Sequence, residues 1–126
     1  LKGKIKNKKI CFLGVTFKAN TDDMRDSSSL SMIPSLIKKG AKINYFDPTG
    51  EKHDFKKFKN VFFSNSISAA IKDSDLIIIH TEWNDFKSIN FKKIVQNKKF
   101  KIFDMRNIYS PFKMKELKIK YFSIGN

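Results

Sequence analysis

The sequence predicts an α/β fold, in which a mostly parallel sheet of five to six strands lies between two layers of helices. Short apolar runs alternate along the 126 residues with segments whose apolar residues recur at helical spacing. The most apolar run, LIII at residues 76–79, is continuous, as expected of a parallel strand covered on both faces. Repetition of strand, helix and strand predicts a Rossmann-like three-layer sandwich, and we expect the strand order 3-2-1-4-5-6.

The first half of the sequence contains three predicted strands and one long predicted helix. The strands are KKICFLGV (residues 8–15), AKINYFDP (residues 41–48) and NVFFS (residues 60–64). Apolar residues at positions 30, 33, 34 and 37 predict a helix over residues 27–39. Asp26 and the serines after it are suited to cap this helix, Gly40 is suited to end it, and Pro34 predicts a kink.

The second half continues the alternation. A short capped helix is predicted in NSISAAIKDS (residues 65–74), and the strand DLIIIHT follows at residues 75–81. The remaining predicted elements are a helical segment over residues 86–96, the strand KFKIFDM (residues 99–105), a helical turn in SPFKMKELK (residues 110–118) and a last strand in KYFSIG (residues 120–125). We therefore predict a single domain over residues 1–126.

Composition excludes several classes of protein. With 40% hydrophobic residues the chain is neither disordered nor membrane-spanning, and its longest apolar run is too short to cross a bilayer. No signal peptide opens it, and the Leu1 start suggests a piece of a longer polypeptide. Cys11, the one cysteine, excludes an internal disulfide, favours a cytoplasmic setting and is expected to be a buried core thiol.

The net charge of +14 raises the possibility of nucleic-acid binding. The lysines are scattered, with dense groups only at residues 2–9 and 92–101, and no recognition motif accompanies them. We therefore predict no nucleic-acid partner. Of the 26 basic residues only Arg25 and Arg106 are arginine, whose planar fork can grip a phosphate or carboxylate. A structural salt bridge is the alternative for each.

Three segments are predicted to meet at one crevice. Ligands of such a sheet bind beyond the carboxyl ends of the strands, where the strand order reverses. Residues 16–25 follow the first strand, residues 80–86 the fourth and residues 104–109 the fifth. Both arginines fall in these segments, which favours a binding role for them.

The crevice offers cations and flat rings rather than catalytic groups. Gly14 is followed by bulky residues, so the three-glycine dinucleotide fingerprint is missing. Asp47 lies where a ribose-binding acid would lie, but Asp-Pro is more typical of a turn. The binding inventory consists of Lys18, Arg25 and Arg106, of Asp22, Asp23 and Asp26 as orienting or capping groups, and of Phe17 and Trp83 as rings that either stack on a base or pack in the core. A phosphorylated small molecule with a planar ring would suit this set.

Four motifs resemble a known family. GVTFKANTDDMRDSSSL (residues 14–30), YFDP (residues 45–48), HTEWNDF (residues 80–86) and FDMRNIY (residues 103–109) occur in the order found in the C-terminal, UDP-binding domain of UDP-glucose 6-dehydrogenases. That domain belongs to the UDP-glucose/GDP-mannose dehydrogenase family. The resemblance implies an enzyme that oxidises the C6 alcohol of UDP-glucose to UDP-glucuronate in two hydride transfers to NAD, through a cysteine thioester.

The resemblance also implies roles for individual residues. Phe17, Lys18 and Arg106 would contact the UDP-sugar, and Arg25 would contact NAD. Rim or orienting positions would be Asp22, Asp23, Glu82 and Trp83. The NAD domain, the central helical domain and the catalytic cysteine are absent from this sequence, and Cys11 matches no nucleophile position. The piece alone is therefore predicted to be inactive, as one wall of the active site of an enzyme that is a homodimer when complete.

Two alternatives stay open at this point. One is the same domain of a dehydrogenase for another nucleotide sugar, of the UDP-N-acetylmannosamine or GDP-mannose type. The other is a standalone module that binds nucleotide sugars without oxidising them.

Overall fold

The computed structural model describes residues 5–95 and 100–124. Its strands are β1 (Lys9–Leu13), β2 (Lys42–Phe46), β3 (Val61–Phe63), β4 (Leu76–Ile79), β5 (Lys101–Asp104) and β6 (Lys120–Ser123). They form one six-stranded sheet in the order β3-β2-β1-β4-β5-β6, with every neighbouring pair parallel. The Rossmann-like fold and the predicted order are confirmed. Leu13 lies opposite both Phe46 and Ile79, and Ile79 lies opposite Asp104, so these strands end at one level.

The helices connect the strands in sequence. They are α1 (Ser29–Lys38), α2 (Ile67–Ile71), α3 (Asn84–Lys87), α4 (Phe91–Val95) and α5 (Pro111–Glu116), with a 3₁₀ turn at His53–Phe55. No helix in the described ranges is long and apolar enough to cross a membrane.

The core has two parts, one on each face of the sheet. Side chains of a strand alternate between faces, so Ile10 and Phe12 pack with Ile33 of α1, whereas Cys11 and Leu13 pack on the face that carries α2 to α5. The buried run in β4 is apolar throughout because helical or loop segments cover both faces. The predicted sandwich of three layers follows from this division.

The ends of α1 agree in part with the prediction. Gly40 follows its last turn with φ +96°, and the Ala41 N–H donates to the Leu36 carbonyl, as in a glycine-terminated helix. The helix continues through Pro34. Its N-cap residue Ser28 makes no side-chain capping hydrogen bond, contrary to the expected capping, because its hydroxyl bonds a histidine at the end of β4.

The helical segment predicted over residues 86–96 is two short helices, α3 and α4. The Asn90 side chain accepts a hydrogen bond from Lys93 N at 3.3 Å and so begins a new helix after a break. Gln96, the predicted end of the segment, lies outside the described residues. The 3₁₀ turn was not predicted, and buried Phe55 anchors it between α1 and β2.

Candidate functional site

The three predicted segments meet at the carboxyl ends of β1, β4 and β5. Arg106, after β5, joins the other two: its Nε donates to the His80 carbonyl at 2.9 Å, and one terminal nitrogen donates to the Phe17 carbonyl at 3.2 Å. The Thr81 hydroxyl, after β4, donates to the Thr16 carbonyl at 3.0 Å. The predicted convergence of these segments is therefore present.

Hydrogen bonds to its backbone groups hold the loop after β1 in place, while two of its side chains stay exposed to solvent. The Thr16 and Phe17 carbonyls accept the hydrogen bonds given above. The Lys18 carbonyl also accepts one, from the Thr16 hydroxyl at 2.9 Å. The Phe17 N–H donates to the Asp23 carbonyl at 2.9 Å, which closes the loop on itself. The Phe17 ring is 46% exposed and Lys18 is exposed, so a ring and a cation project from an ordered backbone.

Gly14 allows β1 and β4 to approach closely where this loop begins. Its φ is +81°, and an added Cβ would lie 2.5 Å from the Thr81 Cβ and 2.7 Å from its hydroxyl oxygen. Any side chain at position 14 would therefore displace Thr81. This glycine therefore serves the close packing of β1 against the residues after β4.

Asp104 shapes the loop that carries Arg106. Its fully buried carboxylate accepts hydrogen bonds from the backbone N–H groups of Arg106, Ile108 and Tyr109 and from the Tyr121 hydroxyl, at 2.7 to 3.1 Å. Burial raises the pKa of both Tyr109 and Tyr121, so these hydroxyls stay protonated and remain donors. Sequence reasoning identified the segment but not this residue; an aspartate ending a strand two residues before an arginine was the available signal.

Arg25 and Asp23 form a pair at the edge of the crevice. The guanidinium contacts both carboxylate oxygens at 3.1 Å, and Arg25 N donates to the same carboxylate at 2.9 Å. These hydrogen bonds lower the pKa of Asp23 and raise that of Arg25. The Arg25 side chain is 88% exposed, so the pair sets its direction without withdrawing it from solvent. Asp22 is exposed beside it.

His80 lies buried behind the crevice. Its Nε2 is 2.8 Å from the Ser28 hydroxyl and its Nδ1 is 3.1 Å from the Thr81 hydroxyl. Burial, and then the positive charge of Arg106, lower the pKa of the imidazole from 6.5 to about 4. The ring is thus neutral near pH 7 and links the Ser28 and Thr81 hydroxyls by hydrogen bonds. Sequence reasoning found no partner for His80, since Ser28 is 52 residues away.

Trp83 is a correction to the predicted rim. It is 8% exposed and belongs to the same core cluster as Leu13 and Phe86, because packing there removes its large apolar ring from water. Its indole N–H has no hydrogen-bond partner in the part of the chain described. Its neighbour Glu82 is exposed. Of the two rings proposed to stack on a base, only Phe17 is accessible.

Asp47 and Cys11 are both structural. The Asp47 carboxylate accepts from Thr49 N at 2.9 Å, as a turn residue does, and from Val15 N at 2.9 Å, which ties β2 to the loop after β1. Cys11 is fully buried, and burial raises the pKa of its thiol, so it is no nucleophile. Within residues 5–95 and 100–124, no cluster of His, Cys, Asp and Glu side chains could hold a metal ion.

Comparison with known proteins identifies relatives over nearly the whole chain. Residues 11–111 match the UDP-glucose/GDP-mannose dehydrogenase family, UDP binding domain. The UDP-glucose 6-dehydrogenase of Rickettsia felis is 37% identical over 129 residues, which cover 100% of this chain and 29% of that protein. The UDP-glucose 6-dehydrogenase of Rhizobium meliloti is 35% identical over 124 residues, 98% of this chain and 28% of that protein.

Solved structures give the same result for the fold. A UDP-D-ManNAc dehydrogenase from Pyrococcus horikoshii has a TM-score of 0.76 at 26% identity, with 97% of this chain and 26% of that one covered. An NDP-N-acetyl-D-galactosaminuronic acid dehydrogenase from Methanosarcina mazei has a TM-score of 0.82 at 23% identity, over 98% and 26%. The chain thus spans less than a third of the length of each of these four proteins.

Proposed function

The chain belongs to the UDP-glucose/GDP-mannose dehydrogenase family as its UDP binding domain, and we propose that it binds the UDP part of UDP-glucose through Phe17, Lys18 and Arg106. One observation supports the proposal: the Arg106 guanidinium donates to the Phe17 carbonyl at 3.2 Å, so it lies beside the loop that carries exposed Phe17 and Lys18. Phe17 would stack on the ring, and the two cations would bind the phosphates.

In this proposal the domain is one wall of an active site whose chemistry lies elsewhere in the polypeptide. A complete family enzyme would oxidise UDP-glucose to UDP-glucuronate, and its other domains would supply the catalytic cysteine and hold NAD. The buried thiol of Cys11 supports this division, because it leaves the described residues without a cysteine nucleophile. We further propose that the complete enzyme is a cytoplasmic homodimer, without nucleic-acid or membrane partners.

Arg25 is the residue that we assign to NAD. Bound NAD would accept the hydride from the sugar. The Arg25 guanidinium fits a contact with its phosphates, since it is held from one side by Asp23 and is otherwise 88% exposed. Its role would be to bind and orient, across a cleft between domains.

Titration of the chain with UDP, UDP-glucose and GDP, by calorimetry and two-dimensional NMR at moderate salt, tests the proposal. We expect UDP and UDP-glucose to shift the amide resonances around Phe17, Lys18 and Arg106, and GDP to bind more weakly. Arg106→Lys keeps the charge but cannot make both carbonyl contacts, and we expect it to weaken UDP binding by about tenfold.

A matched control separates the site from general charge. Lys18→Ala should weaken UDP binding, whereas Lys115→Ala, which removes an exposed lysine from α5, should not. Equal affinities for all three variants and the wild type would refute the assignment. Binding that falls steeply with salt and is indifferent to Arg106 would instead indicate a general polyanion site.

A further inference from the structure

A line of side-chain hydrogen bonds runs from exposed Ser28 through buried His80 and Thr81 to the loop of the proposed nucleotide site. We propose that Ser28, His80 and Thr81 are positioning residues, which fix the backbone position of the loop that carries Phe17 and Lys18. The inference rests on the proposed function for its consequence in binding, whereas the hydrogen-bond line itself stands on geometry alone.

The direction of the line follows from counting protons. The Thr81 hydroxyl has one proton, which it donates to the Thr16 carbonyl at 3.0 Å, and a carbonyl can only accept. The contact of 3.1 Å between this hydroxyl and His80 Nδ1 must therefore be donated by Nδ1. With its proton on Nδ1, neutral His80 accepts at Nε2 from the Ser28 hydroxyl, at 2.8 Å. One tautomer of one histidine thus satisfies all three bonds.

The end of the line meets the loop at two points. Thr81 bonds the carbonyl of Thr16, the residue immediately before Phe17, and its side chain also fills the space above Gly14, where an added Cβ would come within 2.5 Å. Thr81 is fully buried and His80 is 1% exposed, so water does not compete for these contacts. The position of the loop backbone therefore follows the position of Thr81.

His80 also links this loop to Arg106. Its ring fixes Thr81, whereas its carbonyl accepts from Arg106 Nε at 2.9 Å. The same guanidinium then bonds the Phe17 carbonyl at 3.2 Å. The two sides of the proposed site are thus joined through one buried residue, by its ring on the side of Thr81 and by its backbone carbonyl on the side of Arg106.

The first test needs no ligand. Nitrogen-15 NMR of the imidazole ring of His80 at pH 7 should show a protonated Nδ1 and an unprotonated Nε2. A proton on Nε2, or rapid averaging of the two tautomers, would overturn the proposed line.

The second test uses variants and the amide resonances of residues 16–18. Thr81→Val keeps the shape but removes the hydroxyl, and we expect it to shift these resonances and to weaken UDP binding by about fivefold, the factor of one lost hydrogen bond. Thr81→Ser keeps the hydroxyl and should restore both. Ser28→Ala, at an exposed position, should leave the fold intact and the His80 proton on Nδ1, because the Thr81 contact fixes that proton, while the nitrogen-15 shift of Nε2 changes with the loss of its donor.

The outcomes distinguish this inference from the proposed function. Thr81→Val with unchanged resonances at residues 16–18 would refute the positioning role, even if the variant is less stable. If those resonances move and Thr81→Ser restores them, the positioning role stands. A wild type that shows no UDP binding would then count against the proposed function alone.

Discussion

Replacing Asp104 by asparagine should cost more stability than any other change of a single carboxylate to its amide among the residues described. Four donors converge on this carboxylate, and the residue is fully buried. In Asp104→Asn one oxygen can still accept from Ile108 N, Tyr109 N and Tyr121 Oη, but the amide nitrogen then faces the N–H of Arg106. An orphaned buried N–H costs about 1–3 kcal/mol, and the other three bonds lose their charge-assisted part, so we expect a loss of about 3 kcal/mol.

Urea unfolding measures this loss. Trp83 is the one tryptophan and is only 8% exposed, so its fluorescence reports the transition without a label. Glu116→Gln is the matched control, because Glu116 is exposed in the last turn of α5, and we expect it to change stability by less than about 0.5 kcal/mol. If Asp104→Asn lost less than about 1 kcal/mol at an unchanged slope, the four bonds would not be stabilising the loop, and the reasoning would be wrong.

Three further predictions concern other parts of the same region. Gly14→Ala and Gly50→Ala both place alanine at positive φ, but only at Gly14 does the new Cβ meet Thr81; in urea unfolding we expect Gly50→Ala to cost about 1 kcal/mol and Gly14→Ala at least about 2 kcal/mol more. Equal losses would refute the close approach. The pKa of His80 is about 4 in the fold and 6.5 when unfolded, so the unfolded state binds the proton first, and stability should fall by about 3 kcal/mol as pH drops from 6.5 to 4. A His80→Gln variant should lack this part of the pH dependence in urea unfolding at several pH values. Cys11 should react with a thiol reagent only as fast as the protein unfolds, and rapid labelling in the absence of urea would contradict its burial.

The sheet could be predicted because local pattern and topology agree. The apolar run of β4 requires cover on both faces, and alternation of strands with helical segments gives a parallel sheet. The bounds of the helices were predicted less accurately than the sheet. Periodicity alone predicts one continuous helix here, but Asn90 divides it. The Asn90 side chain can either continue a helix or accept a hydrogen bond from the backbone and begin a new one, and the local sequence does not favour either state. Short helices depend on such single hydrogen bonds, which a spacing pattern does not contain.

The site divides in the same way. The approach of Arg106 to Phe17 follows from their places after β5 and β1, since the carboxyl ends of parallel strands share one edge of the sheet and only β4 lies between these two strands. The burial of Trp83 could not be predicted, because it depends on how the loop after β4 packs against the core, which is a tertiary property. The partner of His80 did not follow either, because the contact with Ser28 exists only once α1 is docked on the sheet.

The use of arginine in this chain has a geometric reason. Only two of 26 basic residues are arginine, so lysine meets the need for positive charge almost everywhere. Arg25 grips one carboxylate with two nitrogens, and Arg106 spans two carbonyls that belong to different loops. An ammonium is a compact charge on a flexible stem and cannot hold two acceptors in a fixed plane. Arginine therefore stands where one group makes two structural contacts while it stays exposed to solvent, and the lysines elsewhere carry no comparable constraint.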